Sequence, residues 1–258
     1  MENEDWITGN VRINIGGQPL DLQMTVPVKP VKPHRMLPIF QQMTDSFVGM
    51  TETAVENAGG AVSCHKGCAA CCRQAIPLSE IETYQITETV EAMPEPRRTE
   101  IKQRFETAWH HFADIGWFER LDKTFKLSLE ERSQLVVEYF NERIDCPFLE
   151  DECCSIHQTR PLGCREYLVT SPAENCRQLS AETVRMVELP VKTSDTVRKI
   201  TNSAELNSSP ANFVPLVLAL EWTRRKTGEF PEKTGEQWMA DFFRNLTKSE
   251  IPGLVNSE

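Results

Sequence analysis

The sequence predicts an α+β fold: a mainly helical single domain with an N-terminal β-hairpin and a metal site built from cysteines on loops. Three observations support this prediction. Apolar residues alternate with polar ones between residues 11 and 26. Later segments repeat apolar residues at helical spacing, and all nine cysteines lie between residues 64 and 176. A chain of 258 residues is long enough to bury a sizeable core.

The hairpin is predicted from a period of two. Every second residue is apolar in 11–15 and again in 20–26, which is typical of strands with one buried face. Residues 16–19 read Gly-Gly-Gln-Pro and supply the turn between them. We expect the hairpin to cover one side of a helical core.

The helices are predicted from apolar stripes and from their caps. Ser79 and Glu82 form a capping box, so a helix should begin there and run to about residue 92. Stripes predict the other helices at about 36–57, 97–115, 129–143, 213–220 and 238–246. Their apolar positions include Met50, Ile115 and Val136. Residues 183–197 favour a strand that pairs with the hairpin.

We divide the chain into three parts of one domain. Residues 1–60 are the hairpin and a helix packing on the core, and residues 61–180 are the cysteine-cluster metal-binding core. Residues 181–258 are a C-terminal strand and helices that complete the same domain.

Composition and charge argue against nucleic acids and membranes as binding partners. The net charge of −10 argues against a nucleic-acid surface, because phosphate binding needs clustered lysine and arginine. The longest apolar run, 213–220, is far shorter than the roughly 20 residues of a membrane-spanning helix. The first five residues are acidic and do not form a secretion signal. We therefore predict a cytoplasmic protein, with no membrane partner and with thiols kept reduced.

The cysteines form two groups. The first is Cys64-x3-Cys68-x2-Cys71-Cys72, and the second contains Cys146, Cys153, Cys154, Cys164 and Cys176. Reduced cysteines in such numbers are more often ligands than disulfides, and thiolates select zinc, Cu(I) or iron–sulfur clusters. The side chains of adjacent residues point in different directions. One of Cys71 and Cys72 is therefore expected to bind a second metal or to be buried in the core. Cys72 and Cys153 are the thiols that could equally be buried small hydrophobes.

An iron–sulfur cluster is preferred over zinc as the cofactor. A structural zinc site usually takes a short cysteine pair from each of two segments, and the second group has none with suitable spacing. Iron–sulfur ligation tolerates looser spacing. The first three cysteines also have the spacing of a radical SAM motif. Ala70 replaces the usual aromatic residue of that motif, however, and no alternation of strands and helices predicts the required barrel.

Longer motifs surround the cysteines. Arg73 and Pro77-Leu78-Ser79-x2-Glu82 follow the first group, and the second contains Cys146-Pro147-Phe148-Leu149, Cys154-Ser155-Ile156-His157 and Arg160-Pro161-Leu162-Gly163-Cys164-Arg165. Over residues 64–176 the chain resembles the YkgJ-like CxxCxxCC cysteine-cluster family of zinc- or iron-chelating domains. It departs from that pattern in the three-residue gap after Cys64, in His157, where an aromatic residue is usual, and in the extra Cys153.

The resemblance implies a set of metal ligands and of neighbouring residues. The ligand candidates are Cys64, Cys68, Cys71, Cys72, Cys146, Cys154, Cys164 and Cys176. The residues expected beside the cofactor are Arg73, Arg160, Arg165 and His157. Guanidinium groups would balance the negative charge of a thiolate site, although surface arginines are the ordinary alternative. For His157 we favour a hydrogen bond to a ligand over direct coordination.

Three functions fit these observations. The first is a metal-binding protein whose site is structural, regulatory or redox-active. The second is a cluster-dependent enzyme, such as a protein methyltransferase related to flagellin lysine methylase. The third is an interaction protein that uses metal only to fold and binds an unidentified protein partner. A closed four-thiolate site would favour a structural role, and a pocket beside the cluster would favour an enzyme. The sequence assigns no catalytic residue.

Overall fold

The chain is mainly helical and carries a long hairpin at its N-terminus, as the sequence predicts. The computed structural model describes residues 5–247, except residues 16, 179, 181 and 227. The described residues contain ten α-helices and three two-stranded antiparallel sheets. None of the helices in this part of the chain is both long and apolar enough to cross a membrane.

The helices and strands follow one another along the chain in a simple order. The strands are β1 (Trp6–Ile15), β2 (Gln18–Pro27), β3 (Pro77–Leu78), β4 (Leu149–Glu150), β5 (Cys153–Cys154) and β6 (Val214–Pro215). The helices are α1 (Leu37–Asn57), α2 (Glu80–Glu91), α3 (Arg97–Asp114), α4 (Trp117–Leu121), α5 (Leu129–Asn141), α6 (Leu162–Glu166), α7 (Thr193–Thr201), α8 (Ala204–Ser208), α9 (Ala219–Arg225) and α10 (Gly235–Thr247). The pairs are β1–β2, β3–β6 and β4–β5.

The hairpin covers one side of a helical core. Its strands pair with Val11 opposite Leu22 and Ile13 opposite Leu20. The inward side chains pack with α1 and α10, where the rings of Phe40 and Phe242 stack at 5.1 Å between centroids. Gly16, in the predicted turn, lies outside the described residues. This core joins the N-terminal hairpin to α10, the last described helix.

The hairpin packs closely against α10 at Gly235. A Cβ atom there would lie 2.6 Å from the Val26 Cβ and 2.7 Å from the Pro27 Cδ. We expect Gly235→Ala to push β2 away and to lower the free energy of unfolding by about 1–3 kcal/mol. Gly49→Ala in α1 is the control, because no atom lies within 4 Å of its added Cβ. It should raise stability by roughly 0.5–1 kcal/mol. Urea denaturation of both variants tests this, and equal effects would contradict the close packing.

A second core lies between α2, α3 and α9, and a third between α3, α4 and α5. The predicted stripe of α3 is buried at Ile101, Phe105 and Phe112, and the Phe112 ring stacks on Tyr139 at 3.9 Å. Not every predicted apolar position is inside. Met50, Ile115 and Val136 are 42%, 41% and 46% exposed, because they lie at the margin of the buried face or at a helix end.

The prediction of a strand in residues 183–197 pairing with the hairpin was wrong. Met186 pairs instead with Val169, through an isolated antiparallel bridge. The Thr170 N–H donates to the Arg185 carbonyl and the Val187 N–H donates to the Leu168 carbonyl, each at 2.9 Å. The backbone groups of this segment are therefore satisfied by the chain that follows Cys164, and α7 begins soon afterwards.

Candidate metal centre

The first cysteine group lies on irregular chain between α1 and α2. The Ser63 N–H donates to the Val169 carbonyl at 2.9 Å and anchors the start of this loop beside the second group. Gly67, with φ of 87°, turns the chain between Cys64 and Cys68. One turn of 3₁₀ helix, Ala70–Arg73, then carries Cys71 and Cys72.

The second group is joined to the first through the backbone. The Cys146 N–H donates to the Cys72 carbonyl at 2.8 Å. The β4–β5 hairpin follows and places Cys154 opposite Leu149. Cys164 lies in α6, which begins directly after Pro161. Two segments far apart in sequence therefore meet at their cysteines.

Cys146, Cys154 and Cys164 form an inner set of thiols. All three pack against the apolar cluster that contains Ile76, Leu78 and Phe148. Burial raises the pKa of Cys146 to about 12, and the charges of Cys154 and Cys71 add to that rise. Burial also raises the pKa of Cys164 well above its usual value, with contributions from the charges of Cys146, Cys71 and Cys154.

Cys64, Cys68 and Cys176 form an outer set. Cys176 is buried and packs, with Cys68, in a small cluster around Ala70 and Val169. Burial raises the pKa of Cys176, and the charges of Cys64, Cys68 and Cys71 raise it further. Burial likewise raises the pKa of Cys64, where Cys71 and Cys68 also act.

Cys71 is electrostatically coupled to both sets. The hydrogen bond with the Cys72 thiol, followed by burial, raises the pKa of Cys71 far above its usual value. If Cys71 were ionised, its charge would raise the pKa of Cys146, Cys154 and Cys164 in the inner set and of Cys64 and Cys176 in the outer set. The extra thiol, Cys153, pairs through its backbone with Glu150.

The thiols are gathered but not closed around a common point. Among the described residues, no three histidine, cysteine, aspartate or glutamate side chains are arranged so that they could hold a metal ion as they stand. Binding would therefore require thiol side chains to turn toward one another. The donors themselves suit a soft metal, since the gathered side chains are cysteines.

A buried carboxylate holds the start of the helix that carries Cys164. Glu82 accepts hydrogen bonds from the Ser79 N–H at 2.8 Å and the Ser79 hydroxyl at 2.7 Å, which begins α2 as predicted. Its other oxygen accepts from the Leu162 N–H at 2.8 Å, at the start of the helix that carries Cys164. The sequence indicates the local cap but not this second contact, because Leu162 lies far along the chain.

The three predicted arginines have different surroundings. Arg73 forms ion pairs with Asp145 at 2.7 Å and Glu152 at 3.0 Å. Arg165 is only 5% exposed in its side chain and pairs with Asp45 of α1 at 2.6 Å. It therefore ties the second cysteine segment to α1, a contact that the sequence did not indicate.

Arg160 is the predicted arginine whose charge reaches both cysteine segments. Burial raises the pKa of Cys154, and the Arg160 charge opposes that rise. The Cys72 hydrogen bond and burial raise the pKa of Cys71, and Arg160 opposes that rise also. Within the described residues its Nε is buried without a hydrogen-bond partner. Its guanidinium donates to the His157 Nε2, so this histidine binds an arginine next to the thiols.

A cavity of about 540 Å³ opens beside Cys68 of the outer set. Cys68 lies in its wall together with Gly67, Arg73, Arg143, Glu152 and Arg177. Sequence reasoning missed Arg143 and Arg177. Neither belongs to a cysteine motif, although Arg177 follows Cys176 directly.

A comparison with known protein families gives a match to the middle of the chain. Residues 63–186 match the family model CxxCxxCC, described as "Putative zinc- or iron-chelating domain". The matched region contains both cysteine groups and the cavity residues, and excludes the N-terminal hairpin and α10. No curated protein and no solved structure matches the chain.

Proposed function

We propose, on the premise that residues 63–186 belong to the CxxCxxCC family of zinc- or iron-chelating domains, that the two cysteine groups together hold an iron–sulfur cluster. The observation that carries this proposal is the hydrogen bond from the Cys146 N–H to the Cys72 carbonyl, which brings the two cysteine segments together beside Cys71. A Cys71 thiolate would raise the pKa of both Cys164 and Cys176, which agrees with a single centre that draws ligands from both segments.

The inner set with Cys71 is the proposed primary site. These four thiols can supply the four-cysteine ligation of a cluster or of zinc. Burying several thiolates together is costly without a compensating cation, and a bound metal would remove that cost. The three outer thiols and Cys72 are the other four candidate ligands. They would bind further metal or replace one of the primary ligands.

The proposed role of the metal is first structural. A centre that joins the first cysteine group to Cys164 links segments separated by most of the matched domain. Such a cross-link restricts the conformations of the unfolded chain. The free energy of metal binding therefore contributes to the free energy of folding. Regulation or redox sensing would act through the same site, because losing the metal would loosen this link.

Removing the metal should lower the melting temperature. Closing a loop of about 100 residues is worth about 4–5 kcal/mol, by analogy with a disulfide. In a chain of this size that corresponds to a loss on the order of 10 °C. Differential scanning calorimetry before and after chelation tests this. Cys153→Ser, which removes a thiol that is not among the candidate ligands, is the matched control. Identical melting curves for the metal-loaded and metal-free proteins would contradict a structural role.

Anaerobic purification tests the choice of metal. An iron–sulfur cluster gives a brown protein that contains iron and sulfide and absorbs near roughly 400 nm. The preference for iron is supported by the number of gathered thiols, which exceeds the four of one zinc site. Colourless protein with stoichiometric zinc would instead establish zinc, the alternative cofactor. A cytoplasmic location, where the thiols stay reduced, remains part of this proposal.

A second candidate function is a cluster-dependent enzyme. The observation that favours it is the cavity beside Cys68, because an enzyme needs space for a substrate next to its metal. This second candidate would be supported if the anaerobically prepared protein converts a bound small molecule and loses that activity when its metal is chelated.

A further inference from the structure

We propose that the cavity beside Cys68 binds a small molecule bearing a carboxylate or a phosphate, held by Arg143 and Arg177. This inference goes beyond the metal site and does not depend on which metal is bound. It rests on the shape of the cavity, on the partners of its arginines and on the backbone conformation of its wall.

The cavity has the dimensions of a small-molecule site. Its volume of about 540 Å³ falls within the range of ordinary ligand pockets. One wall is the first cysteine loop, around Gly67 and Cys68, and the other is formed by Arg143 and by the 3₁₀ helix Ala173–Arg177. A ligand there would touch the cysteine loop directly.

Two of the three arginines in the wall have capacity for a ligand. Arg73 is already paired with Asp145 and Glu152. Arg143 donates one N–H to the Arg177 carbonyl at 2.7 Å, which leaves most of its guanidinium donors for other partners. The Arg177 guanidinium makes no hydrogen bond or close ion pair with the residues that the structure describes, and its charge acts on Glu152 from a longer distance. Planar guanidinium groups bind carboxylates and phosphates through paired hydrogen bonds.

The Arg143 side chain is also held in place by its neighbours. Its guanidinium lies over the Phe140 ring, 4.2 Å from the centroid, and its bond to the Arg177 carbonyl links the two cationic residues. The carboxylate of Glu174 lines the same cavity, so an amino group on the ligand would have a partner there.

The backbone at Arg143 supports a role for its side chain. Arg143 has φ of 55° and directly follows the last capped turn of α5, where glycine is the usual residue. Glu152, also in the wall, has φ of 55° in the β4–β5 turn. Left-handed conformations are uncommon for residues with side chains, and they concentrate at functional sites.

Isothermal titration calorimetry with inorganic phosphate and with succinate, at constant ionic strength, tests the proposal. The wild-type protein should bind at least one of the two anions saturably. Arg143→Gly and Arg177→Gln should each weaken that binding at least tenfold. Arg120→Gln is the control, because Arg120 lies in α4 and pairs with Glu138. Binding of phosphate alone would identify a phosphorylated ligand, and binding of succinate alone a carboxylate.

Arg143→Gly separates loss of binding from loss of folding. Glycine relieves the left-handed backbone, so this variant should melt no lower than the wild-type protein. Absence of binding by both anions, or binding that survives both substitutions, would overturn the proposal. Metal content measured on the same anaerobically purified samples keeps the two proposals distinct. Anion binding by protein that purifies without metal would support the anion site, and the missing metal would count against the metal centre.

Discussion

Replacing Cys71 by serine should remove most of the bound metal, whereas replacing Cys153 by serine should leave the metal content unchanged. Cys71 is adjacent to Cys72, whose carbonyl binds the Cys146 N–H, and a Cys71 thiolate would act on thiols of both the inner and outer sets. A hydroxyl is a poor ligand for a soft metal, so the centre would lose the thiol that its two halves share. Elemental analysis of anaerobically purified variants measures the effect.

The two cysteines make a matched comparison. Both carry a partly buried thiol, both are adjacent to another cysteine, and the substitution is the same. If Cys71→Ser retains full metal, or if Cys153→Ser loses as much, the shared position of Cys71 does not determine binding. Circular dichroism of both variants shows whether the fold is retained.

Replacing Glu82 by alanine should lower the free energy of unfolding by about 3–5 kcal/mol. The Glu82 carboxylate is buried and accepts from the Ser79 N–H, the Ser79 hydroxyl and the Leu162 N–H. Alanine would leave these buried donors without an acceptor, and each costs about 1–3 kcal/mol. Guanidinium denaturation measures the change. Glu82→Gln should be intermediate, because its amide retains one acceptor oxygen.

The capping box at α5 provides the control for Glu82. Glu131 accepts from the Ser128 N–H at 2.7 Å in the same local arrangement, but it is exposed. Glu131→Ala should therefore cost much less, since water replaces the lost acceptor. Glu82→Ala should also reduce metal content, because Leu162 begins the helix that carries Cys164. Equal losses of stability in the two variants would show that the contact with Leu162 is unimportant.

Local patterns were sufficient to predict most helices and the hairpin. The Ser79 capping box places the start of α2 correctly, and the alternation in residues 11–26 predicts the buried face that contains Val11 and Ile13. Both signals depend on neighbours in sequence. Periodicity predicted that Met50 and Val136 face the core, but both side chains are exposed. A periodic pattern does not show where the helix or strand that packs against it ends.

Long-range partners could not be predicted in the same way. The extended chain at Met186 has the composition of a strand, but its pairing with Val169 depends on where the second cysteine segment folds. The partners of Arg165 and Glu82, Asp45 and Leu162, are equally remote in sequence. The cysteines could be recognised as a candidate metal site from the sequence, because thiols are metal ligands and many of them lie close together along the chain. Their role as ligands remains a prediction.

X-ray absorption at the metal edge of anaerobically purified protein tests the central claim most directly. The proposed centre predicts a first shell made of sulfur, with about four sulfur atoms per metal, at about 2.3 Å if the metal is zinc. Cys71→Ser should reduce or abolish this signal. A first shell dominated by nitrogen or oxygen would contradict the account, because the metal would then be held by groups other than the two cysteine sets.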